Sequence, residues 1–295
     1  MKEKIITWWR KYSISLAISV LSCSGRLMLK LSTLKAGQIL DSHGPVKVLV
    51  DSATLGHGVT HETDWISTGT QKWGDIDFDG GYLARIPVHS TDDKSDLGEN
   101  ARYLASIAYL AETGRISLWT SAELQAERFY QPLGRFSGYG YYDLNVFSDL
   151  EMKSVDGNFI PDIHSRTLAS RDFNKEQNDR LVRSGDILFQ TLFALLGQKY
   201  TKDAWHIRTA EKYEMFCFLT LDFRLLNQIE NLKEKEPIKS LKTCVWTPKQ
   251  FGSYFKIQPV PTKFLSYRNA DFPVRSDLHQ VNNMRRSKNE YKKTE

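Results

Sequence analysis

Residues 202–226, KDAWHIRTAEKYEMFCFLTLDFRLL, contain a helix, a strand and the start of a second helix in direct succession. In residues 202–214 Ala204, Ile207 and Ala210 recur at helical spacing, which puts Asp203 in the first turn. Residues 215–221 (MFCFLTL) form an unbroken apolar run of the kind found in a strand buried on both faces, and Asp222 closes it. A helix that joins two parallel strands runs antiparallel to them, so its first turn hangs over their carboxyl ends. Asp203 and Asp222 are therefore expected on one edge of a sheet.

The same reading extends toward the amino terminus. Residues 45–50 (PVKVLV) make a second buried strand, with Asp51 at its carboxyl end. Residues 115–119 (RISLW) make a third, followed by a helix over 120–129 (TSAELQAERF) with Glu123 in its first turn. If these strands are parallel neighbours, four carboxylates meet at the crevice where open α/β sheets bind ligands. Four carboxylates repel one another, so the pattern calls for a cation.

Taken singly, each acid also has a structural reading. Glu123 completes a capping box with Thr120, Asp203 suits the positive end of its helix, and Asp222 is a good N-cap for FRLLNQIEN. Asp51 is the hardest to account for in this way, because no obvious helix starts after it. Glu127, one turn beyond Glu123, is a candidate fifth acid or a solvated charge. His206, one turn beyond Asp203, can steady a carboxylate or a phosphate.

With those motifs in order, the chain resembles the PIN-domain nucleases. VKVLVDSATL resembles that family's opening strand and first aspartate, and RISLWTSAELQAE its strand and helix with a glutamate. KDAWHIRTAEKYEMFCFLTLDFRLL is similar to its D-A-x-H-I-x-x-A helix and L-T-x-D strand end, and CVWTPKQF to its closing strand and T-P-x-x-F helix start. The resemblance implies a three-layer α/β/α PIN-like fold with a central, mainly parallel sheet. It implies metal binding by Asp51, Glu123, Asp203 and Asp222, with Thr220 as a hydroxyl beside the last acid. It further implies Mg2+ or Mn2+ as cofactor, RNA as substrate and endonucleolytic cutting to 5′-phosphate and 3′-hydroxyl ends. A toxin with an antitoxin-like protein partner, an RNA-processing enzyme and a defence nuclease are all compatible with these residues, as is a homo-oligomer. The alternative is a non-catalytic PIN-like protein that binds RNA or serves assembly.

The family pattern is compact, and 295 residues leave room for additions. The expected layout is a helical or signal-like extension over residues 1–40, a PIN-like domain over 41–265 with insertions at about 57–99 and 129–178, and a basic tail over 266–295. Two amphipathic helices, 100–113 and 179–196, are expected to end at Gly114 and Gly197 and pack on the sheet. The two insertions read as irregular.

Composition bounds the rest. With 41% hydrophobic and 25% charged residues the chain has the makeup of a globular protein able to bury a full core. A net charge of +5, partly carried by the tail MRRSKNEYKKTE, is compatible with a polyanionic partner without requiring one. Three cysteines (Cys23, Cys217, Cys244) show no paired spacing, which argues against disulfides and a thiolate zinc site and favours a cytoplasmic location. The first 25 residues favour the opposite: a basic, aromatic start and the uncharged run SISLAISVLSCSG have the layout of an export signal, VLSC resembles a lipoprotein cleavage box, and the run is too short to span a bilayer.

Three further stretches suggest contacts. WGDIDFDGG (73–81) starts like a calcium loop, but Ile86 stands where a bidentate glutamate is needed, and Ile76, Phe78 and the Gly pair suggest a strand entering a hairpin. His57 and His61, flanked by Gly56 and Gly58, read as loop residues near the crevice mouth, with His57 able to contact phosphate. RFYQPLGRFSGYGYYDLNVF (128–147) interleaves Arg128 and Arg135 with rings such as Tyr139, a mixture suited to stacking on single-stranded bases or to packing an insert on the body.

Overall fold

A computed structural model describes residues 25–44, 46–89, 93–131, 144–161 and 170–265. Its centre is a five-stranded parallel sheet built from β1 (Val46–Val50), β4 (Ile116–Thr120), β6 (Lys153–Ser154), β7 (Cys217–Leu219) and β8 (Cys244–Trp246). They lie in the order β6-β4-β1-β7-β8, and every neighbouring pair is parallel. Parallel strands need crossovers, and the helices supply them: α3 (Asp96–Glu112), α4 (Ala122–Tyr130), α5 (Ser170–Val182), α6 (Ile187–Leu196), α7 (Thr201–Lys212) and α8 (Phe223–Asn231). α1 (Leu34–His43), a short α2 (Ser52–Gly56) and α9 (Pro248–Tyr254) complete the set that is used below.

Alternation along the central strands separates two cores. Val48 and Val50 of β1 and Cys217 and Leu219 of β7 pack with Leu40, Leu104, Ile107 and Phe251 on one face. Leu49 and Phe218 point the other way, into Leu124, Phe189, Leu192, Ile207 and Leu225. Helices thus cover both faces of the sheet, an α/β architecture compatible with three layers.

Several boundaries differ from expectation. α3 starts at Asp96, before residue 100, because Ser95 caps it by accepting from Gly98 N at 3.1 Å. The helix expected over 179–196 is two helices. Gly185 adopts φ +67° between them, and Asp186 caps α6 by accepting from Phe189 N at 2.9 Å. Gly185 followed by Asp186 is the stop-and-cap signal that a single helix over 179–196 passes over.

The first insertion is regular, contrary to its reading as irregular. β2 (Val59–Trp73) and β3 (Ile76–Pro87) form a long antiparallel hairpin, joined at its base to β5 (Leu144–Asn145) in a second sheet of order β3-β2-β5. The turn is at Gly74, φ +64°, so the Gly80–Gly81 pair lies inside β3. A Cβ on Gly81 would stand 2.4 Å from the Ile66 carbonyl oxygen, a close approach that explains glycine there. The second insertion contributes β6 to the edge of the main sheet and α5 to its helical cover.

Candidate functional site

The sheet reverses its winding at β1. The chain moves from β1 outward to β4 and β6, then returns to the other side of β1 as β7 and continues to β8. The gap between the carboxyl ends of β1 and β7 is therefore the topological switch point, where open α/β sheets leave a crevice. Asp51 directly follows β1, and Asp222 stands three residues beyond the end of β7.

Backbone pairing sets both acids. Asp51 N donates to Leu219 O at 2.9 Å, continuing the β1–β7 ladder one step past the strand, and Thr220 N donates to Trp246 O at 3.0 Å. Asp51 occupies the N-cap position of α2, where its side chain makes no well-formed cap bond, although the Ala53 amide lies near enough to favour the charged carboxylate. Its Oδ2 instead accepts from Thr220 Oγ1 at 2.8 Å, and that hydroxyl oxygen accepts from Asp222 N at 3.1 Å. Thr220 thus couples the two aspartates across the crevice. Asp222 does serve as a cap: Oδ1 accepts from Arg224 N and Leu225 N at 2.8 and 3.0 Å, which fixes its orientation.

Asp203 lies in the first turn of α7, as the spacing predicts. Burial and the charges of Asp51, Asp222 and Glu127 push its carboxyl up to about 7, against a lowering influence from His206. Burial and the Glu127 charge likewise raise the Asp51 carboxyl, opposed by His206 and the Thr220 hydrogen bond. Asp51, Asp203, Asp222, Glu127 and His206 thus form one electrostatic neighbourhood.

Glu127 belongs to this group through His206. The imidazole Nε2 and Glu127 Oε1 are 3.0 Å apart, and both side chains are almost fully covered. Burial would push the Glu127 carboxyl up, but the charge and hydrogen bond of His206 outweigh it and the net direction is down. Burial would lower His206, and the carboxylates of Glu127, Asp51 and Asp203 reverse that to a net rise.

Glu123 has a different setting. Ser121, one residue after the expected Thr120, caps α4 by accepting from Leu124 N at 3.3 Å. The buried Glu123 carboxylate accepts from Gln177 Nε2 at 2.8 Å and from both terminal nitrogens of Arg180 at 2.7 and 2.8 Å. Both partners come from α5, whose approach to α4 has no local sequence signal.

Of the suggested contact residues, His57 is half-buried at the end of α2 and Arg128 lies in the last turn of α4. Arg135 and Tyr139 lie outside the described residues, as do residues 1–24 and the tail over 266–295. His61 is buried in β2 with its Nδ1 3.1 Å from Thr60 Oγ1. Cys217 and Cys244 are free thiols. Among the described residues no helix is long and apolar enough to cross a membrane.

Chemically, Asp51, Asp203 and Asp222 offer oxygen donors only, the set preferred by Mg2+ and Mn2+. A carboxyl raised to about 7 by burial and neighbouring negative charge is one whose ionised form a dication would stabilise. The donor chemistry therefore fits such an ion, although among the described residues no three His, Cys, Asp or Glu side chains already stand close enough to enclose one.

Compared with known proteins, the chain matches no protein-family model. No curated protein matches it either. No solved structure matches it.

Proposed function

We propose that this chain is a PIN-like, metal-dependent endoribonuclease whose active centre is the crevice between β1 and β7. The observation that carries the reading is the linkage Asp51–Thr220–Asp222 at the switch point, with Asp203 beside it on α7. Structural acids are ordinarily explained by caps or ion pairs. Asp51 turns Oδ2 to Thr220 across the crevice, and Asp203 has the like charges of Asp51, Asp222 and Glu127 around it, opposed by His206.

Asp51, Asp203 and Asp222 would hold Mg2+ or Mn2+, which when bound supplies charge stabilisation at the phosphate and lowers the pKa of water. The protein's own groups do the positioning. Thr220 Oγ1 holds one Asp51 oxygen, and the amides of Arg224 and Leu225 hold one Asp222 oxygen, so two acids are oriented before ligand arrives. Asp203, pushed up to about 7, holds a proton part of the time near neutral pH and would have to release it to hold a cation. The nucleophile is water, which attacks phosphorus as the 3′ oxygen leaves, giving 5′-phosphate and 3′-hydroxyl ends. The choice of RNA rests on the family resemblance.

An RNase assay with purified protein and Mn2+ tests this proposal. Wild type is expected to cut single-stranded RNA, with Asp51→Asn and Asp222→Asn each reduced by about 10² or more. Equal cutting by all three proteins, or none by any across several RNAs and metals, leaves the non-catalytic RNA-binding or assembly reading in its place.

A further inference from the structure

Glu123 and Glu127 stand about one turn apart on α4, and the structure gives them opposite surroundings. Both oxygens of Glu123 face the Arg180 guanidinium, and one also accepts from Gln177. A carboxylate held at both oxygens by this planar fork is already paired, and a dication brought to it would have to compete with the guanidinium. Glu127 faces His206 instead, at 3.0 Å. That contact occupies one oxygen of Glu127, whereas the Arg180 fork occupies both oxygens of Glu123.

Position agrees with this difference. His206 follows Asp203 by three residues on α7, so the two project from neighbouring points on one helix face. Ser52 Oγ donates to Leu124 O at 3.1 Å, which ties the first turn of α4 to the residue after Asp51. The next turn of α4 then brings Glu127 to His206. His206 is 2% exposed, and its Nδ1 has no hydrogen-bond partner among the described residues.

We propose that Glu127, oriented by His206, is the fourth carboxylate this chain offers a divalent cation, while Glu123 anchors α5 to α4 through Arg180 and Gln177. The inference rests on the reading of the crevice as a metal site, and it departs from the assignment of Glu123 that the family resemblance implies. His206 is a positioning residue here, of the kind that stands behind a ligand and holds its orientation.

Mn2+ affinity, read by electron paramagnetic resonance of the free ion, and Tm separate the two roles without reference to activity. Glu127→Gln is expected to weaken Mn2+ binding at least about tenfold, and His206→Gln about tenfold, the usual cost of losing an orienting partner. Glu123→Gln is expected to keep affinity within about threefold while lowering Tm, because it breaks the anchor of α5. Since Glu127→Gln alone leaves a buried imidazole without its acid, the double variant Glu127→Gln/His206→Gln supplies a neutral pair and is expected to fold with the same weakened affinity. Wild-type affinity in that double variant overturns the proposal, as does a folded Glu123→Gln that loses Mn2+ as fully as Glu127→Gln. Asp51→Asn serves as the control on the underlying reading. If it binds Mn2+ like wild type, the crevice is not the metal site and both ideas fall; if it loses Mn2+ while Glu127→Gln does not, only the assignment of Glu127 falls.

Discussion

In the main sheet β1 and β7 are five and three residues long, yet Val48, Leu49, Val50, Cys217, Phe218 and Leu219 are all buried. In the hairpin arm β2 and β3 run to fifteen and twelve residues, and every side chain from Ser67 to Asp79 is exposed. The arm has the longer ladder and the weaker claim on stability, because backbone pairing exchanges for water at small net gain while apolar burial does not. Its outer part is held by local contacts, such as the Trp65 Nε1 bond to Asp79 at 3.1 Å and the Trp73–Phe78 ring contact at 6.4 Å. Strand length therefore says little about which strands can hold a site rigid. The crevice lies where short strands are locked from both faces.

This contrast can be broken most severely at Phe218. It is fully buried between β7 and the helices behind it, and Phe218→Ala should cost about 3–5 kcal/mol, read as a lower urea midpoint with unchanged slope.

The next effect concerns the charge stored in the crevice. Asp203 keeps its proton to about 7 when folded and to about 3.8 otherwise. Across that window the folded state binds the extra proton, so the Asp203 contribution to the stability of the metal-free protein falls as pH rises and is lost above about 7. Because the residue is partly exposed, the loss is on the order of 2 kcal/mol after screening. Tm measured from pH 5 to pH 8 should show the decline, Asp203→Asn should make it shallower, the raised Asp51 and His206 keeping the same sign, and Mn2+ added at the upper end should restore Tm. A Tm that rises over this range would contradict the crowding of like charges.

A smaller change is expected from Thr220→Val, which keeps the shape but removes the hydroxyl between Asp51 and the Asp222 amide. The loss should be about 1–2 kcal/mol in denaturation, with weakened Mn2+ binding. Smallest of all is removal of the outer arm. Replacing residues 67–81 by a two-residue Asn-Gly turn should leave stability within about 0.5 kcal/mol and Mn2+ affinity unaltered.

The arm and the crevice also differ in how far the sequence discloses them. Asp222 is readable because it stands between a buried apolar run and a helical period, Asp51 because it closes such a run and Asp203 because helical spacing puts it in a first turn; the five-residue helix that starts after Asp51, against expectation, is too short to show a period. Of the hairpin the sequence shows a strand at Ile76 and Phe78, but not its length or its turn at Gly74, because the polar outer strands from Ser67 to Asp79 are exposed and lack a sustained period-two apolar pattern. The pairing of Glu123 with Gln177 and Arg180 escapes for another reason: those partners lie 54 and 57 residues away on a helix whose docking no local pattern encodes. Glu127 and His206 were visible as one-turn neighbours of Glu123 and Asp203, but their mutual contact spans 79 residues and depends on how α4 meets α7.

The central claim is that the switch point between β1 and β7 binds a divalent cation. Anomalous diffraction from crystals grown with Mn2+ addresses it directly. A peak is expected within ligand distance, about 2.0–2.3 Å, of carboxylate oxygens from at least two of Asp51, Asp203 and Asp222. A well-ordered crevice without a peak at saturating Mn2+, or a peak held only by residues elsewhere, would contradict it.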